Sequence, residues 1–255
     1  MFTQPQDQVT NKMLLIVLIS LVFGSFLNVC IYRIPRKESI AFPPSHCSTC
    51  NSSLKPVDLI PVLSYFMLRG RCRYCGEKIS IQYPIVEAMN GLLWILLYQR
   101  FGLGVDFYGF ALLGSLLLVI SVIDIHTMEI PDELSIFGGI TAVLFIALRQ
   151  TITWSPEALL SAIIGLAIGG GFFLLIAVAT GGDMGGGDVK LAAFLGLWVG
   201  WKLTLVFTLF AFIIGAIVSV FLIALRIKGR KDYIPFGPFI ALATMISILY
   251  GDLII

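Results

Sequence analysis

Charge is scarce in this chain. Seventeen Lys and Arg and fifteen Asp and Glu make up 13% of 255 residues, and the formal net charge is only +2. Without a basic excess there is no electrostatic footprint for nucleic acid. No internal repeat or low-complexity tract stands out, and no dinucleotide-type glycine fingerprint occurs. Cysteine is limited to five residues. What is present is apolar: 58% hydrophobic residues and a mean hydropathy of +0.97 lie outside the ordinary soluble range and make the bilayer the expected solvent.

Apolar runs near the roughly 17 to 25 residues that cross a bilayer fall at 13–32, 83–100, 107–127, 133–150, 157–180, 189–201, 203–227 and 235–255. They predict an all-α polytopic membrane protein of about eight helices. The sixth run is short and could merge with the seventh, but Gly200 and Lys202 favour a turn between them. Lys and Arg orient such a bundle, because they stay on the cytoplasmic side. With the first helix entering the cytoplasm, the loop 33–82 holds eight basic residues, the loop near Arg226 and Lys228 holds four, and Lys190 is also inside. That is thirteen against Lys12, Arg100, Arg149 and Lys202 outside. Both termini are then expected outside. Residues 13–32 are too long for a signal-peptide core and read as a retained helix. Gly165 and Gly169 have the spacing of a close helix-packing face.

The polar segment between the first two helices contains "CSTC" at 47–50 and "CRYC" at 72–75. Four thiols in two such pairs suit a tetrahedral structural zinc site. Disulfides are the alternative, but the basic-residue count places this loop in a reducing compartment where they are rare. A site made of Cys47, Cys50, Cys72 and Cys75 has no open position, so one zinc ion would fold the insert and do no chemistry. His46 could replace a cysteine but reads as a bystander, and Cys30 as a small apolar residue. The organisation expected is residues 1–32 as N-terminal segment and first helix, 33–82 as cytoplasmic zinc insert, and 83–255 as a seven-helix membrane core.

Acidic residues cluster at two membrane boundaries, "DIHTMEIPDE" at 124–133 and "GGDMGGGDVK" at 181–190. An aspartate in a membrane segment costs about 2.5 to 3.5 kcal/mol on insertion scales, so Asp124 and Asp188 call for a reason. Two carboxylates facing each other share one proton and supply an acid and a base together, which is the chemistry of aspartic proteolysis. Gly185, Gly186 and Gly187 would then let a substrate backbone approach Asp188. Capping the sixth helix is the competing role for Asp188. Asp183 reads as a loop residue, Asp132 after Pro131 as a helix start, and His126, Glu129 and Glu133 as solvated boundary residues.

Asp124 with "IPD" (130–132), "GGGD" (185–188) running into "VKL", "GSFLNVCIYRIPR" (24–36), the cysteine pairs and "IPFGPFIALA" (234–243) together resemble the bacterial type IV prepilin peptidase family, within the GxGD class of intramembrane aspartyl proteases. The likeness runs from about residue 20 to 245, with the motifs in the family's order. Ile130 departs from it, since leucine often precedes Pro-Asp there. The resemblance implies a protease that removes the basic leader of prepilins or pseudopilins at the cytoplasmic face of the inner membrane, with Asp124 and Asp188 as the catalytic pair. It also implies N-methylation of the new N-terminal residue by S-adenosylmethionine. Gly70, Glu87, Asn28 and Arg33 border the insert and are candidates for that step, although Arg33 is equally a membrane anchor and Glu87 a helix-end charge. Two other readings stay open: a transporter with broken helices, and a metal-dependent hydrolase using Asp124, His126, Asp183 and Asp188. Oligomeric state cannot be read from the sequence.

Overall fold

A computed structural model describes residues 6–152, 155–182, 184–229 and 232–254. The described residues are helical, apart from loops that contain two isolated bridges, His46 with Ser53 and Arg71 with Lys78. In chain order the helices are α1 (Gln6–Arg33), α2 (Leu63–Met67), α3 (Gln82–Phe101), α4 (Val105–Thr127), α5 (Asp132–Ile152), α6 (Pro156–Ala179), α7 (Gly186–Ala224) and α8 (Gly237–Tyr250). Five of them, α1, α4, α5, α6 and α7, are long and apolar enough to cross a membrane. α8 is apolar but has 14 residues, and α3 is diluted by Glu87, Asn90 and Arg100.

The two runs expected at 189–201 and 203–227 form one element, α7, bent where expected. Gly200 has φ 77°, a conformation that breaks the helical path and that glycine adopts at no steric cost. A side chain at Gly200 would also strike Ser161 of α6. Other boundaries move by a few residues. α7 starts at Gly186 instead of 189 because the glycines themselves enter its first turn, and the last helix spans 237–250 instead of 235–255.

The chain divides into two compact units, Met1–Ala111 and Leu112–Ile255. In the first, α1 lies along α3 so closely that a Cβ on Gly24 would sit 2.8 Å from the Glu87 Cα. The buried Asn90 side chain donates to the Ser20 carbonyl at 2.7 Å across the same interface. Trp94 and Tyr98 pack their rings on Phe107.

In the second unit α6 and α7 touch backbone to backbone. A Cβ on Gly165 would overlap the Gly196 carbonyl, and one on Gly169 would overlap the Ala192 carbonyl. The small-residue spacing read from 165 and 169 is therefore a packing face, as expected for helices that associate in lipid without a hydrophobic driving force between them. α5 joins α7 through Trp198, whose buried indole N–H donates to the Gly138 carbonyl at 3.0 Å while its ring stacks on Phe145 at 4.7 Å. The start of α8 is anchored by Phe236, which packs on Phe173 of α6 and Phe212 of α7.

Gly165→Val should destabilise this unit by about 1–3 kcal/mol through overpacking. Gly171→Ala on the same helix meets nothing within 4 Å and should be neutral or slightly stabilising. Thermal unfolding of the two variants in detergent measures the difference.

Candidate active site and cysteine cluster

Asp124 lies in the last turn of α4 and is buried, with 4% exposure. Its Oδ2 accepts the backbone N–H of Gly237 at 2.9 Å. Gly237 is the first residue of α8, whose N-terminal N–H groups have no partner within the helix and carry the positive end of its dipole. A Cβ on Gly237 would stand 2.7 Å from the same Oδ2, so only glycine allows this approach.

Asp188 is half-buried in the first turn of α7. The N-cap is Gly185, and no side chain caps the helix. The capping role considered for Asp188 is therefore absent: the helix begins earlier than expected and places Asp188 within its first turn. There its carboxylate gains the helix dipole, and the adjacent Gly187 packs on the same Ile130 that borders Gly237, the residue bonded to Asp124.

Ile130 holds the two positions in register. After α4 the chain turns through Met128, at φ 55°, and returns the buried Ile130 side chain towards both glycines. A Cβ on Gly187 would lie 2.9 Å from Ile130 Cβ, and one on Gly237 would lie 3.3 Å from Ile130 Cδ1. Each carboxylate thus sits at the N-terminus of a helix, with Ile130 packed beside both termini.

The three glycines before Asp188 differ in kind. Gly187 is required for the contact with Ile130, whereas Gly186 faces open space and Gly185 has an ordinary extended backbone. Asp132 opens α5 and pairs with Lys190 at 2.6 Å. Glu129, Glu133 and His126 are exposed. Asp183 lies outside the described residues. Gly237 was not singled out from the sequence. Its one signal there was the "FGP" within 236–238, a glycine beside a helix-start proline.

In the first unit the Sγ atoms of Cys47, Cys50, Cys72 and Cys75 all lie within 4.8 Å of one another, and the thiols are unbridged. Both pairs use the same turn. Cys47 N–H donates to the Ser52 carbonyl and Asn51 N–H to the Cys47 carbonyl, and Cys72 with Glu77 and Gly76 repeats the pattern. The residue after each second cysteine, Asn51 or Gly76, takes positive φ. Hydrogen bonds from the Ser52 hydroxyl, and then from its backbone N–H, pull the Cys50 thiol down to about 6. Backbone N–H groups of Cys75 and Tyr74 lower that of Cys72. The four sulfurs converge closely enough to hold a metal ion. His46 turns away to the Pro44 carbonyl. Asp58, whose side chain is 3% exposed, braces the second pair by accepting from Arg73 Nε at 2.6 Å and from the Tyr74 hydroxyl at 3.0 Å. The Arg73 hydrogen bond holds Asp58 below the usual carboxylate range.

The four candidates around the insert fall into two pairs. Asn28 and Glu87 face each other's helices near Gly24: Asn28 donates to the Tyr83 carbonyl at 3.1 Å, and Glu87 accepts the Val62 N–H at 2.6 Å. The Asn28 Oδ1 is buried without a partner. Arg33 donates to the Ser39 and Pro43 carbonyls at 2.8 and 2.7 Å, and Gly70 makes a turn at φ 65° that Tyr65 leaves no room to fill.

Fold and site together define a polytopic helical membrane protein with a converging pair of aspartates and a four-cysteine insert. Residues 18–101 match the bacterial peptidase A24 N-terminal domain, and residues 111–220 match the type IV leader peptidase family. Similar proteins include one from Bacillus subtilis (strain 168), 34% identical over 242 residues that cover 94% of this chain and 95% of the relative. One from Pseudomonas putida is 32% identical over 261 residues, covering 93% and 90%, and one from Legionella pneumophila is 33% identical over 268, covering 95% and 92%. All three are named prepilin leader peptidase/N-methyltransferase. No solved structure matches the chain. The chain belongs to the type IV leader peptidase family, as its motifs led one to expect.

The packing around Ile130 makes the glycines unequal. Gly187→Ala should lower thermal stability in detergent by about 1–3 kcal/mol, while Gly186→Ala should change it by less than about 0.5 kcal/mol.

Proposed function

We propose that this protein is a membrane-embedded aspartic endopeptidase that removes the leader from prepilins or pseudopilins, and that it N-methylates the new N-terminus. The observation that carries the peptidase reading is the convergence of Asp124 and Asp188 at two helix N-termini. One of two adjacent carboxylates retains a proton, since both cannot easily ionise side by side. The ionised partner takes a proton from water as its oxygen attacks the scissile carbonyl, and the protonated partner donates to the carbonyl oxygen. Collapse of the resulting diol returns a proton to the leaving nitrogen and regenerates the shared-proton pair. The transporter reading has no support from the family match, and among the described residues the clustered metal-ligand side chains are the cysteines, not the aspartates.

In functional terms residues 33–82 are an insert folded by one structural zinc, and 83–255 carry the peptidase core. Tetrahedral zinc–thiolate bonds of about 2.3 Å place sulfurs about 3.8 Å apart, and the Cys47 and Cys75 sulfurs stand at 3.9 Å. All four cysteines would hold the ion, which supplies folding energy. S-adenosylmethionine is the methyl donor implied by the relatives' name. A sulfonium donor is cationic, and the buried Glu87 carboxylate suits it. Arg33 and Gly70 are assigned to shaping the insert. The basic-residue asymmetry puts the insert and both aspartates on the cytoplasmic side of the inner membrane, with the termini outside.

Asp124→Asn and Asp188→Asn should each reduce leader removal from a purified prepilin by about 10²- to 10⁴-fold, while labelled methyl transfer to a pre-cleaved pilin persists. Retained cleavage in either variant removes that residue from the mechanism. Serine at any one of the four cysteines should release about one zinc per chain and damage methylation more than cleavage. Equal loss of proteolysis in all four folded variants would refute the division of labour.

A further inference from the structure

A groove of about 430 Å³ lies between α5, α6 and α7, and neither the peptidase nor the methyl-transfer reading uses it. One wall is a stripe of α5, Asp132, Ser135 and Gly139, and the other a stripe of α7, Lys190, Ala193 and Leu197. Both stripes repeat at three and four residues, so each follows one helix face over seven residues, a rise of about 10 Å. Lys190 is two positions beyond Asp188, about 200° around the helix. The groove therefore lies on the opposite side of α7 from the carboxylate pair. Its mouth is polar, formed by the exposed Asp132–Lys190 ion pair at 2.6 Å, and its interior is apolar. Ser135 lines it as a residue that is 8% exposed, with its hydroxyl oxygen buried.

The geometry points to a zwitterionic glycerophospholipid, one acyl chain in the groove and its headgroup at the Asp132–Lys190 mouth. A membrane helix is about 10 Å across and too wide for this volume. An extended peptide would bury backbone N–H and C=O groups against apolar walls, which is costly. An alkyl chain has no such groups. The mouth is a paired acid and base, both still exposed to further contacts, so a phosphate beside Lys190 and an ammonium beside Asp132 extend the pair with alternating charge, whereas an anionic headgroup would face the Asp132 carboxylate without an ammonium to offset it. Such a lipid would tie the start of α5 to the start of α7, two residues from Ile130 and from Asp188.

The test is native mass spectrometry of the full chain released from nanodiscs containing equal phosphatidylethanolamine and phosphatidylglycerol of identical chains. One phosphatidylethanolamine should be retained per protein, in preference to phosphatidylglycerol. Gly139→Leu, at a position whose Cβ meets nothing within 4 Å, should fill the groove and weaken retention about tenfold, the loss of a few buried methylenes, with an unchanged melting temperature in lipid-free detergent. Asp132→Asn should abolish the preference between headgroups. Equal retention of the two lipids by the wild type, retention unaffected by Gly139→Leu, or displacement of the lipid by a prepilin peptide would each overturn the assignment. Lipid mass is the readout, so a preparation inactive as a peptidase tests the groove just as well.

Discussion

The backbone N–H of Gly237 on the Asp124 carboxylate is the contact around which the second unit is arranged. A carboxylate buried at a membrane boundary needs a partner that does not neutralise it, and the first turn of a helix offers unpaired N–H groups and a dipole of the right sign. The helix must arrive without a side chain at that point, and α8 does so because it opens with glycine and proline. Phe236, wedged against Phe173 and Phe212, holds that opening in place. α7 in turn must bring Asp188 to the same spot, and it does so through Gly187 packing on Ile130. The backbone contacts of Gly165 and Gly169 with α7 keep that helix close to α6. At Gly237, Gly165 and Gly169 the missing side chain brings backbone to within reach of a charge or of another backbone.

The cysteine insert solves a different problem. A loop of about fifty residues that leaves Phe42, Leu63, Phe66 and Met67 exposed buries little, and its order comes from two matching turns that bring four sulfurs together. The loop is also pinned to the membrane helices. Arg33 at the end of α1 holds the backbone at Ser39 and Pro43, and Glu87 of α3 holds the backbone N–H of Val62. These two charges, noticed in the sequence for a part in methyl transfer, are both engaged with main-chain groups. That engagement explains why an arginine and a glutamate can be buried at a helix end.

Much of this was legible in the order of residues. Long apolar runs imply helices because a bilayer leaves the backbone no other partner, and the break between the sixth and seventh was visible in Gly200. The paired cysteines announced a cluster, since a two-residue spacing within each pair already restricts where the sulfurs can go. Asp124 and Asp188 stood out because a carboxylate in an apolar context is expensive, and ordered motifs around them marked the family. Local signals misled at Asp188, where a polar residue before an apolar run resembled a cap. The glycines ahead of it were instead the first turn of the helix.

What the sequence determined by itself was therefore composition-driven: membrane solvent, helical spans, the cysteine cluster and the unusual acids, each set by a residue's cost in its own surroundings. Only the tertiary structure decided which groups meet. The 113-residue gap between Asp124 and Gly237 and the role of Ile130 beside two helix starts depend on helix packing and register. Those are properties of pairs of elements, fixed by close contact between distant segments, and no local pattern of residues encodes them.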